Sequence, residues 1–243
     1  MKQLLYILCA LACGTVFFVS CMSDIDDEVA SYGTLDLTLS RGPLPSVVQR
    51  SVAEGLAVQL VRPDQSVYAE YAAGAVPNKI QLEAGVTYTL RAYSENQSSW
   101  QTANDGKGEA CYFGTTTVRV GADETVRVNY AVPMTNYAVT LTLPELFNAL
   151  FKSYTFALTS GDRSVTLREG EKAYFAVPQS FSYRLTATNT DDKTSQHSIL
   201  EVSDVAAGKL YNIHYIYATD ATTGGIDIEI TDNSEHENVD IKI

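Results

Sequence analysis

Four strand-like segments occur twice in this chain, in the same order, and this repeat limits the folds that the chain can adopt. Each segment alternates apolar and polar residues, as at Leu35, Leu37 and Leu39, which is the period of a strand with one buried face. The paired segments are 33–40 with 137–144, 56–67 with 154–165, 86–96 with 181–191, and 125–136 with 210–221. Because all four pairs keep their order, we predict an internal duplication: an all-β chain of two tandem antiparallel β-sandwich domains.

The repeat also predicts the domain limits. We expect a signal peptide over residues 1–20, a lipid-anchored acidic tether over residues 21–32, a first sandwich over residues 33–134 and a second over residues 135–243. Two further segments lie outside the repeat. Residues 144–151 place Pro144 at the first position of a short helix, with Leu146, Phe147, Leu150 and Phe151 on one side. The tail alternates at 226–230 and again at 239–243, which predicts a terminal hairpin or strands added to an open edge.

The two copies differ by an insertion. Equivalent positions lie 95 residues apart at Val86 and Phe181 but 82 apart at Val118 and Leu200, so about 13 extra residues fall within 94–113. A long loop in a compact domain is often functional. We predict a candidate ligand loop in which an aromatic face stacks on a sugar while amides bind its hydroxyls. Its residues are Trp100, Asn96, Gln101, Asn104 and Asp105. The other interpretation, which we favour for Trp100 itself, is that its ring folds back onto the sandwich and pins the loop.

The first twenty residues have the layout of a signal peptide. Lys2 precedes an apolar run that ends in small residues before Cys21, and this run is too short for a stop-transfer helix. Residues 18–21 resemble the lipobox of bacterial lipoproteins, in which the cysteine becomes the acylated N-terminus. We therefore predict lipidation of Cys21 and a membrane partner through this anchor. The alternative is a secreted protein cut near Ser20, with Cys21 as a free thiol.

Four acids follow the cysteine closely. They are Asp24, Asp26, Asp27 and Glu28. In one interpretation they form a solvated tether that anionic headgroups repel. In the other they resemble the acidic export tag that directs Bacteroidales-type lipoproteins to the outer face of the outer membrane. We favour the tag, and so predict a lipid-anchored outer-membrane protein that faces the cell exterior.

Composition excludes several classes of function. The net charge is −12, and removal of residues 1–20, with Lys2, makes it −13, so nucleic acid would be repelled. Only Cys111 would remain unmodified, which excludes an internal disulfide and a multi-cysteine zinc site. His197, His214 and His236 lie in separate segments without metal-ligand spacing. We predict no metal, no cofactor, no catalytic residues and no enzymatic activity.

Together, the lipobox, the acidic tag, residues 32–40, the two repeats and the closing strand at 224–230 resemble an uncharacterised family of Bacteroidales surface lipoproteins. Its layout is similar to that of fimbrillin-like pilus and adhesin proteins. The resemblance implies two transthyretin-like or immunoglobulin-like sandwiches that act in adhesion, or as a pilus anchor or accessory component. It also implies protease processing after Arg41 or Arg50, which would free a groove for a neighbour's strand. Members that stay uncut act as anchors.

Two functions from different classes follow. The first is a non-catalytic surface lipoprotein of fimbrillin-like adhesion, with protein partners bound by strand addition. The second is an accessory glycan-binding lipoprotein of a polysaccharide-uptake system, which would bind surface glycans through the loop around Trp100. A hydrolase would need a carboxylate pair or histidine cluster assembled by the fold.

Replacing Asp24, Asp26, Asp27 and Glu28 together by alanine is expected to remove the protein from the cell surface. Antibody labelling of intact cells should detect the wild-type protein, and should detect the variant only after the cells are opened. A hidden wild-type protein would instead mean that the acids are a tether and that the chain faces the periplasm.

Overall fold

The structure is a computed structural model that describes residues 30–42, 55–217 and 226–232. These residues fold almost entirely into strands, which confirms the all-β prediction. The first copy contains β1 Tyr32–Arg41, β2 Leu56–Val61, β3 Val67–Tyr71, β4 Lys79–Glu83, β5 Thr87–Ser94, β6 Phe113–Arg119 and β7 Thr125–Val132. The second contains β8 Asn136–Thr142, α1 Phe147–Leu150, β9 Phe151–Ser160, β10 Arg163–Leu167, β11 Lys172–Ala176, β12 Phe181–Asn189, β13 Thr194–Val202, β14 Leu210–Tyr217 and β15 Ile226–Asp232.

Four sheets form two sandwich-like units. The first unit has the sheets β4-β1-β7 and β3-β2-β5-β6, and the second has β11-β8-β14-β15 and β10-β9-β12-β13. Within each unit the two sheets contribute to one cluster of buried apolar side chains. Removing these side chains from water is the main contribution to stability, at about 25 cal/mol per Å² of apolar surface.

The strand orders confirm the internal duplication. Strands β8 to β14 repeat the pairings of β1 to β7 one for one, and β15 is an additional strand on the open edge of β14. Residues 226–232 of the tail form a strand added to this open edge, and the alternative of a hairpin with residues 239–243 lies outside the described residues. The predicted domain limits fall between β7, which ends at Val132, and β8, which begins at Asn136. The division into two domains and the transthyretin-like or immunoglobulin-like assignment stay predictions.

The expectation of purely antiparallel sandwiches is wrong in one respect. β1 runs parallel to β7, with Leu35 opposite Val126, and β8 runs parallel to β14, with Leu141 opposite Ile213. These are the first and last strands of each copy, and the chain passes through the other sheet between them, which supplies the long crossover that parallel strands need. Alternation in the sequence identifies the buried face of a strand but not the direction of its partner.

The predicted helix at 144–151 is shorter than expected. Only Phe147–Leu150 is helical, and Phe151 already begins β9. Phe147 is buried and stacks on Phe151 with a centroid distance of 4.4 Å, whereas Leu146 and Leu150 are exposed. One turn of helix presents a single side chain to the core, so the other apolar residues cannot share its face.

Several predicted features lie outside the described residues. They are the signal peptide, Cys21, the acids Asp24, Asp26, Asp27 and Glu28, residue Arg50, and the tail from 233 to 243. Within the part that the structure describes, no helix is long and apolar enough to cross a membrane.

β1 belongs to the core of its sandwich, and one substitution tests how much it contributes. Leu37 is 2% exposed, so Leu37→Ala should lower the free energy of unfolding by about 2–5 kcal/mol through lost burial and the cavity left behind. Val67→Ala is the control, because Val67 is 49% exposed and its truncation should cost less than about 0.5 kcal/mol. Urea unfolding measures both. Equal effects of the two substitutions would contradict a core position for β1.

Candidate functional site

The predicted insertion is present as a single long loop. Residues 95–112 connect β5 to β6, whereas residues 190–193 make the equivalent connection between β12 and β13. We refer to residues 95–112 as the insertion loop. It is a series of turns closed by its own backbone: the Gly108 amide donates to the Ala103 carbonyl at 2.8 Å, and the Glu109 amide to the Trp100 carbonyl at 3.0 Å. The loop therefore has a defined conformation.

Amide side chains hold the base of the insertion loop. Gln97 Nε2 donates to the Tyr112 carbonyl at 2.7 Å, and Asn96 Nδ2 donates to the Ala110 carbonyl at 3.1 Å. Asn96 Oδ1 also accepts from Ser94 Oγ at 2.6 Å. Asn96, which the sequence suggested as a ligand contact, thus has a structural partner for both its donor and its acceptor.

The far end of the insertion loop binds the second copy of the repeat. Arg163, at the start of β10, donates from Nη2 to the Gly106 carbonyl at 2.6 Å and from Nη1 to the Tyr174 carbonyl at 2.7 Å. The Tyr174 amide donates to the Lys107 carbonyl at 2.8 Å. Lys107 Nζ lies 2.8 Å from Glu171 Oε1, and this hydrogen bond lowers the pKa of the Glu171 carboxyl. A loop from the first copy is therefore attached to β10, to the β10–β11 turn at Glu171 and to β11 at Tyr174.

Trp100 is part of this attachment. Its side chain is 9% exposed, and the Arg163 guanidinium carbon lies 5.8 Å from the Trp100 ring centroid and 5.1 Å from that of Phe175. Such cation–π contacts contribute about 0.5–2 kcal/mol. Burial lowers the pKa of Arg163, because desolvation disfavours the charged form. This packing matches the alternative in which Trp100 pins the loop, and the covered ring leaves little face on which a sugar could stack.

Asn136 ties the insertion loop to the start of β8. Its Nδ2 donates to the Glu109 carbonyl at 2.8 Å, and its Oδ1 accepts from the Cys111 amide at 3.1 Å. Asn136 is 1% exposed, so these bonds replace the water that its amide has lost. Sequence reasoning missed both Arg163 and Asn136. Each stands next to a turn, where a polar residue ordinarily points to solvent, and no sequence signal distinguishes them.

An open groove lies between the insertion loop and the β9–β10 hairpin. Its volume is about 570 Å³. The lining residues are Gln101, Thr102, Asp105, Gly106, Lys107, Asp162, Arg163, Ser164, Val165 and Thr166. Of the five residues predicted for a ligand loop, Gln101 and Asp105 line this groove. Trp100, Asn96 and Asn104 do not, and the Asn104 Nδ2 donates to the Gly108 carbonyl at 3.0 Å within the loop.

The polar groups of the groove fall into two sets. The first set already has protein partners: Lys107 and Arg163 make the bonds described above, and the hydroxyls of Thr102 and Ser164 bond to Ser99 and Thr159. By contrast, the side chains of Gln101, Asp105, Asp162 and Thr166 form no hydrogen bond or ion pair with any residue of the described ranges. The groove therefore presents amide, hydroxyl and carboxylate groups that are available to a ligand.

The remaining predicted residues lie elsewhere. Arg41 ends β1 opposite Val132, with its guanidinium carbon 5.4 Å from the Tyr112 ring centroid. His197 on β13 has Nδ1 3.2 Å from Tyr215 Oη, and burial lowers its pKa. Among residues 30–42, 55–217 and 226–232, no three side chains of His, Cys, Asp or Glu converge as metal ligands would.

Truncating the buried ring should release the insertion loop. Trp100→Ala removes the surface on which Arg163 packs, and we expect a stability loss of about 3–5 kcal/mol, typical of a buried aromatic. Amide hydrogen exchange should accelerate more at Gly108 and Glu109 than in the middle of β2. Gln101→Ala, at an exposed neighbouring position, is the control and should leave exchange unchanged. Unchanged exchange of the loop in Trp100→Ala would contradict the role of Trp100 in its attachment.

Three solved structures resemble the fold. A candidate cell adhesion protein from Bacteroides ovatus is 13% identical, with TM-score 0.47, covering 86% of this chain and 98% of that one. Candidate polysaccharide-binding proteins from Bacteroides thetaiotaomicron are 8% identical, with TM-score 0.42, and the match covers 86% of this chain and 98% of that one. The fimbrial anchor protein Mfa2 from Porphyromonas gingivalis is 12% identical, with TM-score 0.40, and the match covers 85% of this chain and 98% of that one.

Sequence comparison identifies the family. No curated protein matches the chain in sequence. Residues 43–243 match the family described as "Domain of unknown function (DUF4493)", which covers most of the chain and confirms the expectation of an uncharacterised domain family. The chain therefore belongs to the DUF4493 family.

Proposed function

We propose that this protein is a non-catalytic lipoprotein of the outer-membrane surface that acts in adhesion, or as an anchor or accessory component of a pilus. Its contacts with protein partners would form by strand addition, in which a partner's strand pairs with a sheet of the sandwich. The proposal places a lipid anchor at Cys21 and assigns export to the acids Asp24, Asp26, Asp27 and Glu28. The observation that carries it is the position of β1.

β1 is the first strand of the described chain and the central strand of its sheet. It pairs with β4 on one side and with β7 on the other. Leu35, Leu37 and Leu39 are 0%, 2% and 1% exposed, so every second residue of β1 fills the core. If β1 left, the facing backbone groups of two strands and an apolar cleft would be uncovered together.

Such a vacated groove has the chemistry that strand addition requires. Unpaired backbone amides and carbonyls of β4 and β7 would supply affinity, while the positions of the three leucines would select a strand with apolar residues at every second position. The most direct occupant is a strand of a neighbouring subunit with the same alternation.

Of the two equivalent central strands β1 and β8, only β1 can be released by a single cut. Arg41 is the last residue of β1, and Arg50 lies in the segment between β1 and β2. Cleavage after either residue would separate β1 from the body of the protein. β8, the equivalent strand of the second copy, follows β7 directly and would remain joined to the rest of the chain. An uncut protein would keep β1 in place and serve as an anchor.

An accessory glycan-binding lipoprotein is the second candidate function. It is supported by the groove beside the insertion loop, where Gln101 and Asp105 lie, rather than by the buried Trp100. This function uses a different surface from β1, so the two candidates can be tested separately.

Cleavage between β1 and β2 should allow β1 to be replaced in its sheet by a peptide or by a strand of a neighbouring subunit. After limited digestion with an arginine-specific protease, the full-length protein should bind a fluorescent peptide of residues 31–42 and form oligomers, detected by anisotropy and size-exclusion chromatography. A protein carrying both Arg41→Gln and Arg50→Gln should stay monomeric and bind no peptide.

A second peptide is the matched control. The peptide with Leu37→Asp should bind at least tenfold more weakly, because it would bury an unpaired carboxylate in the position of a core leucine. A cut protein that neither binds the first peptide nor forms oligomers would rule out strand exchange at β1.

A further inference from the structure

We infer that the groove between the insertion loop and the β9–β10 hairpin is a binding site for a neutral, hydroxyl-rich ligand, which is the chemistry of an oligosaccharide segment. Asp105 and Asp162 are its main hydrogen-bond acceptors, and Gln101 and Thr166 add further polar groups without a partner among the described residues. The inference specifies the site for the glycan-binding candidate and is independent of strand exchange at β1.

The shape of the groove suits a small ligand. Its volume of about 570 Å³ lies within the range of about 300–1,000 Å³ that is usual for ligand sites. One wall comes from the insertion loop and the other from residues 162–166 of the β9–β10 hairpin. Neither repeat has such a groove by itself, because the first copy supplies the loop and the second supplies the hairpin.

The loop wall is held in place before any ligand arrives. Arg163 binds the Gly106 carbonyl, and Lys107, the next residue, bonds to Tyr174 and Glu171. Asp105, immediately before Gly106, has a positive φ of 56°, a conformation that Asp tolerates better than most residues. Because these bonds already order the chain around Asp105, binding pays little additional conformational entropy.

The available side chains select the ligand by charge. Lys107 has Glu171 as its partner, and the Arg163 guanidinium donates to two carbonyls and packs on two rings, so the cations of the groove are occupied. Asp105 and Asp162 have no such partner among the described residues. Asp105, Asp162 and Glu171 set three carboxylates against the two cations Lys107 and Arg163, and this net negative charge disfavours phosphate, sulfate and uronate groups. They accept hydrogen bonds from hydroxyls readily, because a carboxylate offers about four acceptor positions.

Because the Trp100 ring is buried, the groove is expected to recognise its ligand through polar groups. The Trp100 ring packs against the Arg163 guanidinium and does not line the groove. The groove therefore binds its ligand through hydrogen bonds and not by stacking on an aromatic ring. Such a site distinguishes ligands by the arrangement of their hydroxyls, because a polar group left unpaired on binding weakens the complex.

The test uses the full-length protein in detergent and an array of neutral oligosaccharides, including maltohexaose, xylohexaose and mannohexaose, beside heparin hexasaccharide as an anionic probe. At least one neutral glycan should bind, and heparin should not. Calorimetry with that glycan should show at least a tenfold loss of affinity when Asp105→Asn and Asp162→Asn are combined. Thr166→Trp, which fills the groove from β10, should abolish binding.

Two controls separate binding from folding. Asp191→Asn changes an exposed aspartate in the β12–β13 turn and should leave affinity within twofold. All variants should keep the wild-type circular dichroism spectrum, since every substituted side chain is exposed. The inference is overturned if no neutral glycan binds, if heparin binds more tightly than the neutral glycans, or if the double variant retains wild-type affinity. None of these outcomes bears on strand exchange at β1, which the peptide-binding experiment with the cleaved protein tests separately.

Discussion

Burial of one apolar face of each sheet is the constraint on which the rest of this structure depends. The chain has no internal disulfide in its described part, where Cys111 is a buried free thiol, so packed apolar surface must offset the conformational entropy lost on folding. Both sandwiches satisfy this requirement in the same way. Paired sheets enclose a cluster of leucine, valine and aromatic side chains, and the same strand order serves both copies.

Duplication of one strand order creates equivalent positions whose flanking segments differ between the copies. β1 and β8 are both central, yet only β1 precedes a segment whose cleavage would free it. The β5–β6 and β12–β13 connections are likewise equivalent, yet only the first is extended into the insertion loop. The two proposed activities therefore use two of the places where the copies differ, while the shared strand framework keeps both cores packed.

Arg163 explains how the insertion loop gains a defined shape. One guanidinium satisfies the carbonyls of Gly106 and Tyr174 while its faces contact Trp100 and Phe175, so it joins backbone from the loop to the interior of the second sandwich. Arginine suits this position because its planar fork of donors can bind two acceptors and still pack against aromatic rings. The groove beside the loop exists because this contact holds its two walls in place.

The sequence by itself determined the all-β class, the duplication, the matched strand segments and the position of the insertion, because strand periodicity and repeat spacing are local or linear signals. It did not determine strand direction: β1 and β7 are parallel, since alternation specifies a buried face and not a partner. Nor did it reveal that Trp100 packs under Arg163, or that Asp105 and Asp162 border one groove. Those relations join residues about 60 positions apart, and only tertiary packing between the insertion loop and the β9–β10 hairpin brings them together.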